Sequence, residues 1–173
     1  ATTSDIVTDA LTAFGMKTKD TGKLTDIMAA ASANANTNVA MLGESFKYCA
    51  PIAGAMGYNA KDVSVSLGLM ANSGIKASQA GTAMRSWMSR MAKPTKEVEA
   101  AMSKLKLSIT DSNGKMKPWN QIVQESRKAF SGLTAEQKAS YAASIAGKSG
   151  MSGMLAVVNS SDKDFKKLTK AVN

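Results

Sequence analysis

Apolar residues recur along this chain at spacings of three and four, and Gly, Pro, Asn or Thr interrupts the pattern about every fifteen residues. Short helices are the expected product. Ile6, Val7, Ala10, Leu11 and Phe14 form a first stripe, with Thr3 or Ser4 as its N-cap and Gly15 as its stop. After a basic loop comes a helix from about Leu24 to Ala33, then a stripe of Val39, Leu42, Phe46 and Cys49. Pro51 is expected to kink that third helix or begin a new turn, and Gly57 to close the unit.

Asn59 followed by Asp62 resembles a capping box and opens a segment in which Val63, Val65, Leu67 and Leu69 alternate with small or polar residues. Alternation by itself would indicate a strand, but Val63, Leu67 and Met70 share a helical face, and the cap and length favour helix. Ala80, Met84, Trp87, Met88 and Met91 give the clearest amphipathic helix of the chain. Lys93 and Pro94 end it, and Thr95 caps a helix carrying Val98, Met102 and Leu105.

The period then shifts to two at Leu105, Leu107 and Ile109, ahead of Asn113-Gly114, the pair best suited to a two-residue hairpin turn. Pro118 at a first helical position, Gly132, and Thr134 with Gln137 bound the next two helices, and the last two carry Met154 to Val158 and Phe165, Leu168 and Val172. The fold expected is all-α, a compact multi-helix domain of short helices with one small β-hairpin near residues 105–117. No repeat and no low-complexity linker divides the chain, so residues 1–173 are expected to form a single domain.

Within this pattern ANSGIKASQAGTAMRS, residues 71–86, contains almost nothing bulky. It reads as a tight helix-loop-helix corner. Gly74 is expected to stop one helix in the left-handed conformation, Ser78 to cap the next, and Gly81 to let that helix cross a neighbour closely, with Arg85 and Trp87 following on it. Gly68, Gly74 and Gly81 are all expected to permit close backbone approach.

Composition then removes several kinds of chemistry. The chain has no histidine and one cysteine, Cys49, which disfavours metal sites, an internal disulfide, and Ser/His or Cys/His catalysis. The net charge of +9 admits nucleic acid, anionic lipid or an acidic protein as a partner. The lysines are spread thinly, in KTKDTGK at 17–23, KLK at 104–106, KMK at 115–117 and KDFKKLTK at 163–170, and only Phe165 interleaves them. Solvated faces are the expected role, and any DNA binding should be weak and sensitive to salt. Asn34, Asn36, Thr37 and Asn38 interrupt the longest uncharged run, so no membrane span is expected and the chain should be soluble.

AGKSG at 146–150 resembles the end of a phosphate-binding loop, but Ala142 stands where the first glycine is required, and a helix precedes it where a strand should. Ser-x-x-Lys pairs at Ser73/Lys76, Ser103/Lys106, Ser112/Lys115 and Ser160/Lys163 have a spacing that two abundant residue types produce by chance. Glu97 and Glu99 point to different sides of a helix. Met84, Met88, Met91 and Met102 are expected to fill core around Trp87. No catalytic residue, cofactor site or metal site is expected.

The segments ANSGIKASQAGTAMRS, RMAKPTKEVEAAMSKL, DSNGKMKPWNQIV, GLTAEQKA and IAGKSGMSGMLAVVN, in this order, resemble the core region of phage tail tape-measure proteins. LGESFKYCAPIAGAMGYNAKDVSVSLGLMANSGIK is similar too, so the resemblance spans roughly residues 5–160. GKSGMSG departs from it, with more glycines than a steady late helix would carry. The resemblance implies a structural, non-enzymatic protein that fills the tail tube, fixes tail length and leaves with the DNA at infection. It also implies tail assembly chaperones, tail tube and tail tip proteins and self-association as partners, with residence in the virion tail and, during assembly, the host cytoplasm. Relatives of this kind are far longer, and a chain beginning at Ala1 is expected to be a slice of one. The competing classes are a muralytic or Ser/Lys hydrolase and a nucleic-acid or membrane-binding module.

Overall fold

In the computed structural model, which describes residues 2–173, the stripes become ten α-helices. They are α1 (Thr3–Ala13), α2 (Thr21–Ala33), α3 (Val39–Ala55), α4 (Ala60–Asn72), α5 (Ala77–Ala92), α6 (Lys96–Leu105), α7 (Trp119–Ser131), α8 (Ala135–Ala146), α9 (Met151–Val158) and α10 (Asp162–Val172). A 3₁₀ turn at Thr18–Asp20 links α1 to α2. Short polar side chains set most of the starts. Thr2, Asn38, Asn59, Thr95, Thr134 and Ser161 lie in extended backbone and each accepts from the backbone N–H three residues on, at 2.8–3.4 Å. Each such cap is worth about 1 kcal/mol.

The alternating segment is α4, and it lies at the centre of the molecule. Every residue from Val63 to Ala71 is buried, because α2, α3, α5, α7, α9 and α10 all pack against it. Burial on every side explains why the segment carries no charge and why its pattern resembles a strand: Ser64, Ser66 and Gly68 alternate in size with Val and Leu. A Cβ at Gly68 would lie 3.2 Å from the Ala35 methyl and 3.0 Å from a Leu168 methyl. Ser66 Oγ accepts from Trp119 Nε1 at 3.0 Å, which satisfies a buried donor on α7.

The most extensive helix pair is α3 with α5. A Cβ at Gly81 would run into the backbone carbonyl of Ser45, so this crossing requires glycine. The Ser45 hydroxyl is placed to share its hydrogen between the carbonyls of Met41 (3.1 Å) and Ala77 (2.7 Å), binding the two helices at the same point.

Pro51 does not restart the helix: α3 runs through it to Ala55. Its ring is exposed, as is Lys47, whose carbonyl loses its usual donor, so the missing hydrogen bond falls on the solvent side.

The hairpin expected near residues 105–117 is absent; among the described residues there is no strand, only an isolated bridge between Thr110 and Met116. Leu105 belongs to α6, and Lys106 takes a left-handed conformation (φ +55°) that ends the helix, with Leu107 N–H donating to Met102 O at 2.8 Å. Alternation at these positions is a helix terminus followed by one buried residue. Two backbone bonds flank the isolated bridge, from Asp111 N–H to Lys115 O (2.8 Å) and from Lys117 N–H to Ile109 O (2.9 Å). Beyond it, Asp111 Oδ1 accepts from both Asn113 N–H (2.9 Å) and Lys115 N–H (3.0 Å), so a carboxylate closes the loop and the pairing extends no further. Gly114 is left-handed (φ +79°) while Asn113 is not, which excludes the two-residue turn that the pair suggested.

Buried residues from all ten helices join one continuous core, and no large hydrophobic side chain is exposed among the described residues. Gly81→Val should lower stability by about 1–3 kcal/mol by forcing α5 off α3. Gly22→Ala, in a helical position with open space around it, should leave stability unchanged or raise it by a few tenths, up to about 0.5 kcal/mol. Urea unfolding of the two variants checks the order.

Candidate functional site

The α4–α5 corner places its residues in distinct roles. Gly74 is left-handed (φ +86°) and has open space around it, so conformation and not close approach calls for glycine there. Ser78 does not cap α5. The helix already begins at Ala77, whose own φ of +52° sits in the left-handed region, and Ser78 lies half-buried inside the first turn. Ala77 is held there by the bond from Ser45 to its carbonyl, a conformation that costs a non-glycine residue about 1–2 kcal/mol. The exposed Arg85 stacks over the Tyr48 ring of α3, 5.6 Å from its centroid.

Trp87 is fully buried and meets Trp119 edge to face, with centroids 4.8 Å apart; Trp119 in turn packs on Tyr58 at 5.1 Å. These aromatics join α5, α7 and the α3–α4 connection. Met84, Met88, Met91 and Met102 are all buried and fill the core around this cluster. Asp62 turns from its own cap toward α7 and accepts from Asn120 N–H at 3.1 Å. Burial pushes its carboxyl above the ordinary range, while that hydrogen bond and nearby Lys61 pull it down.

The sequence did not point to Arg90 and Arg127, and both organise helix ends. Arg90 donates from Nη2 to Ser144 O (2.9 Å) and from Nε to Ile145 O (3.2 Å), while Ser86 Oγ donates to Ala146 O. The last carbonyls of α8 are thus capped from α5, and AGKSG is a helix end closed by a distant guanidinium. Arg127 reaches Ser160 O (2.7 Å) and Asp162 Oδ1 (3.0 Å) and lies 4.6 Å from the centroid of Phe165. The signal available in sequence was rarity: Arg85, Arg90 and Arg127 are the only arginines in a lysine-rich chain, and each makes a planar contact.

No Ser–Lys hydrogen bond joins any of the four Ser-x-x-Lys pairs among the described residues, and Lys106, Lys115 and Lys163 are exposed. Ser160 Oγ is turned back to Val157 O at 2.6 Å. Glu97 accepts from Ser144 Oγ at 3.1 Å, linking α6 to α8. Burial pushes the Cys49 thiol up to about 12, so it stays protonated within the core.

A family model described as phage-related minor tail protein matches residues 1–147. The tape measure protein of Pneumococcus phage Dp-1 is 36% identical over 172 residues, covering 99% of this chain and 15% of that protein. The probable tape measure protein of Escherichia phage P2 is 28% identical over 133 residues, covering 75% of this chain and 16% of that protein. The chain therefore spans about one sixth of the length of these curated relatives. No solved structure matches.

Arg90→Met should cost about 1–3 kcal/mol by leaving α8 carbonyls without their donor, and should speed amide exchange in α8. Arg85→Ala, which removes an exposed contact, should cost about 0.5–1 kcal/mol. Chemical denaturation with amide exchange by NMR compares the two.

Proposed function

The chain belongs to the phage-related minor tail protein family, and from that premise we propose that it is the folded core segment of a tape-measure protein. Residues 1–173 act in this reading as one domain of a much longer chain. The whole protein is packed in the tail tube, governs tail assembly and length, and is released at infection. The observation that carries the reading is the 36% identity to a tape measure protein across 99% of the chain.

The fold supports an organising role over that of a linear ruler. A ruler segment would be one extended helix with its apolar seam turned to another copy or to the tube wall, whereas here the stripes are covered by other helices of the same chain. Tail assembly chaperones, tail tube and tail tip proteins are the partners proposed, with self-association carried by the rest of the protein. The protein resides in the virion tail and, during assembly, in the host cytoplasm. It works without catalysis in this reading, and the lack of a Ser–Lys hydrogen bond in the four Ser-x-x-Lys pairs among the described residues gives the hydrolase alternative no support. No helix among the described residues is long and apolar enough to cross a membrane.

As one continuous helix, 173 residues would measure about 260 Å at about 1.5 Å per residue, against a radius of gyration of about 16 Å for a compact body of this size. An in-frame deletion of the segment should therefore abolish tail assembly or shorten tails by far less than about 260 Å when they are measured by electron microscopy. Infectious particles shortened by that whole length would contradict the organising role.

A further inference from the structure

A groove of about 610 Å³ opens between the 3₁₀ turn at Thr18–Asp20 and the start of α4. Lys17, Lys19 and Lys23 line it from one side and Lys61 from the other, so chain segments some forty residues apart in sequence bring four lysines to the lining of one groove. None of the four forms a salt bridge among the described residues. Asp20, the acid on the lining, has its carboxylate engaged with the backbone N–H of Lys17 at 3.1 Å. The four lysines outnumber the one carboxylate on the lining, Asp20, and Asp62, which lies near Lys61, so like charges around the concavity still repel one another. They complement negative charge supplied from outside.

The lining also holds apolar side chains, the half-buried Met16 and the buried Ile27 among them. Tyr58 adds a directed donor. Its side chain is 4% exposed and packed on Trp119, yet the hydroxyl makes no hydrogen bond within the described residues and is not among the sealed polar atoms, so it opens onto the groove that Tyr58 lines. Burial pushes this phenol up to about 12, so it is protonated and able to donate at neutral pH.

We propose that this groove docks an acidic, amphipathic segment of a partner protein. Its carboxylates meet the lysine rim, one of them accepts from Tyr58, and an apolar side chain rests on Met16 and Ile27. A nucleic acid is a poorer fit, because the aromatic rings of the lining are packed on other rings, the half-buried Phe14 on Phe46 and the buried Tyr58 on Trp119, and are not presented for a base to stack on. An anionic membrane is poorer still, because no large hydrophobic side chain projects from the described surface to enter it. The inference rests on the groove alone and stands apart from the tail role.

The test is an NMR titration of the ¹⁵N-labelled 173-residue chain with a peptide of about twelve residues in which Glu and Leu repeat two and two, alongside its Gln-for-Glu analogue. Saturable shifts are expected at residues 15–23 and 57–61, with none from the Gln analogue. The Lys19→Glu/Lys23→Glu double variant should weaken binding about tenfold or more at low salt, and Tyr58→Phe about threefold to tenfold. Both lysines are exposed and the hydroxyl is unpartnered, so the variants should fold; the wild-type shift map gives the answer even where one does not. The proposal is overturned by shifts centred elsewhere, by equal binding of the Gln analogue, or by no saturable binding at millimolar peptide. It is equally overturned if an oligothymidylate or phosphatidylserine vesicles bind more tightly than the peptide at the same salt.

Discussion

A helix buried on all sides dictates most of this architecture. From Val63 to Ala71, α4 has no face turned to water, so the remaining helices must together supply a complete sheath around it. That requirement fixes its composition, since a charged side chain at any of these positions would be costly to bury without a partner. It also explains the choice of Ser and Gly between the aliphatics: Gly68 admits α10 through Leu168, and Ser66 gives Trp119 its acceptor. Burying several aliphatic side chains at about 1.5–3 kcal/mol each makes the segment a large source of stability that no single neighbour could provide.

The sheath is joined at a few specific points. Gly81 against the Ser45 backbone sets the spacing of α3 and α5, and the Ser45 hydroxyl holds Ala77 in a conformation that a free chain would avoid. Arg90 closes α8 from α5, and Arg127 ties α7 to the start of α10. These are long-range polar contacts made by a few residues, and most of the lysines are left for the surface, Lys117, paired with Glu125, being an exception. The basic groove is where that excess of charge becomes concave, which gives the molecule a face suited to an acidic partner.

Much of the helical architecture was legible because it is local. Stripes such as Ala80, Met84, Trp87, Met88 and Met91, and caps such as Asn59 and Thr134, act within one or two turns. The errors arose where a distant contact or a side chain outweighed a local rule. The Asp111 carboxylate took the Lys115 amide together with that of Asn113, so pairing stopped at one bridge, and Lys106 adopted a left-handed turn usually given to Gly or Asn. Solvent exposure let α3 pass through Pro51, and Ser45 moved the start of α5 ahead of Ser78. The basic loop at 17–23 was visible as a dense charge cluster, but Tyr58 and Lys61 join it only through the fold. Arg90 could not have been matched with Ser144 and Ile145 without the structure, because more than fifty residues separate them.

The central claim is that α4 is enclosed by the rest of the chain, and native-state amide hydrogen exchange tests it most directly. If the account holds, amides from Val63 to Ala71 exchange only through global unfolding, with an opening free energy equal to the stability measured by denaturant, while α1 and the loop around Asp111 open more easily. Exchange in α4 as fast as in α1, with a free energy well below that of global unfolding, would contradict it.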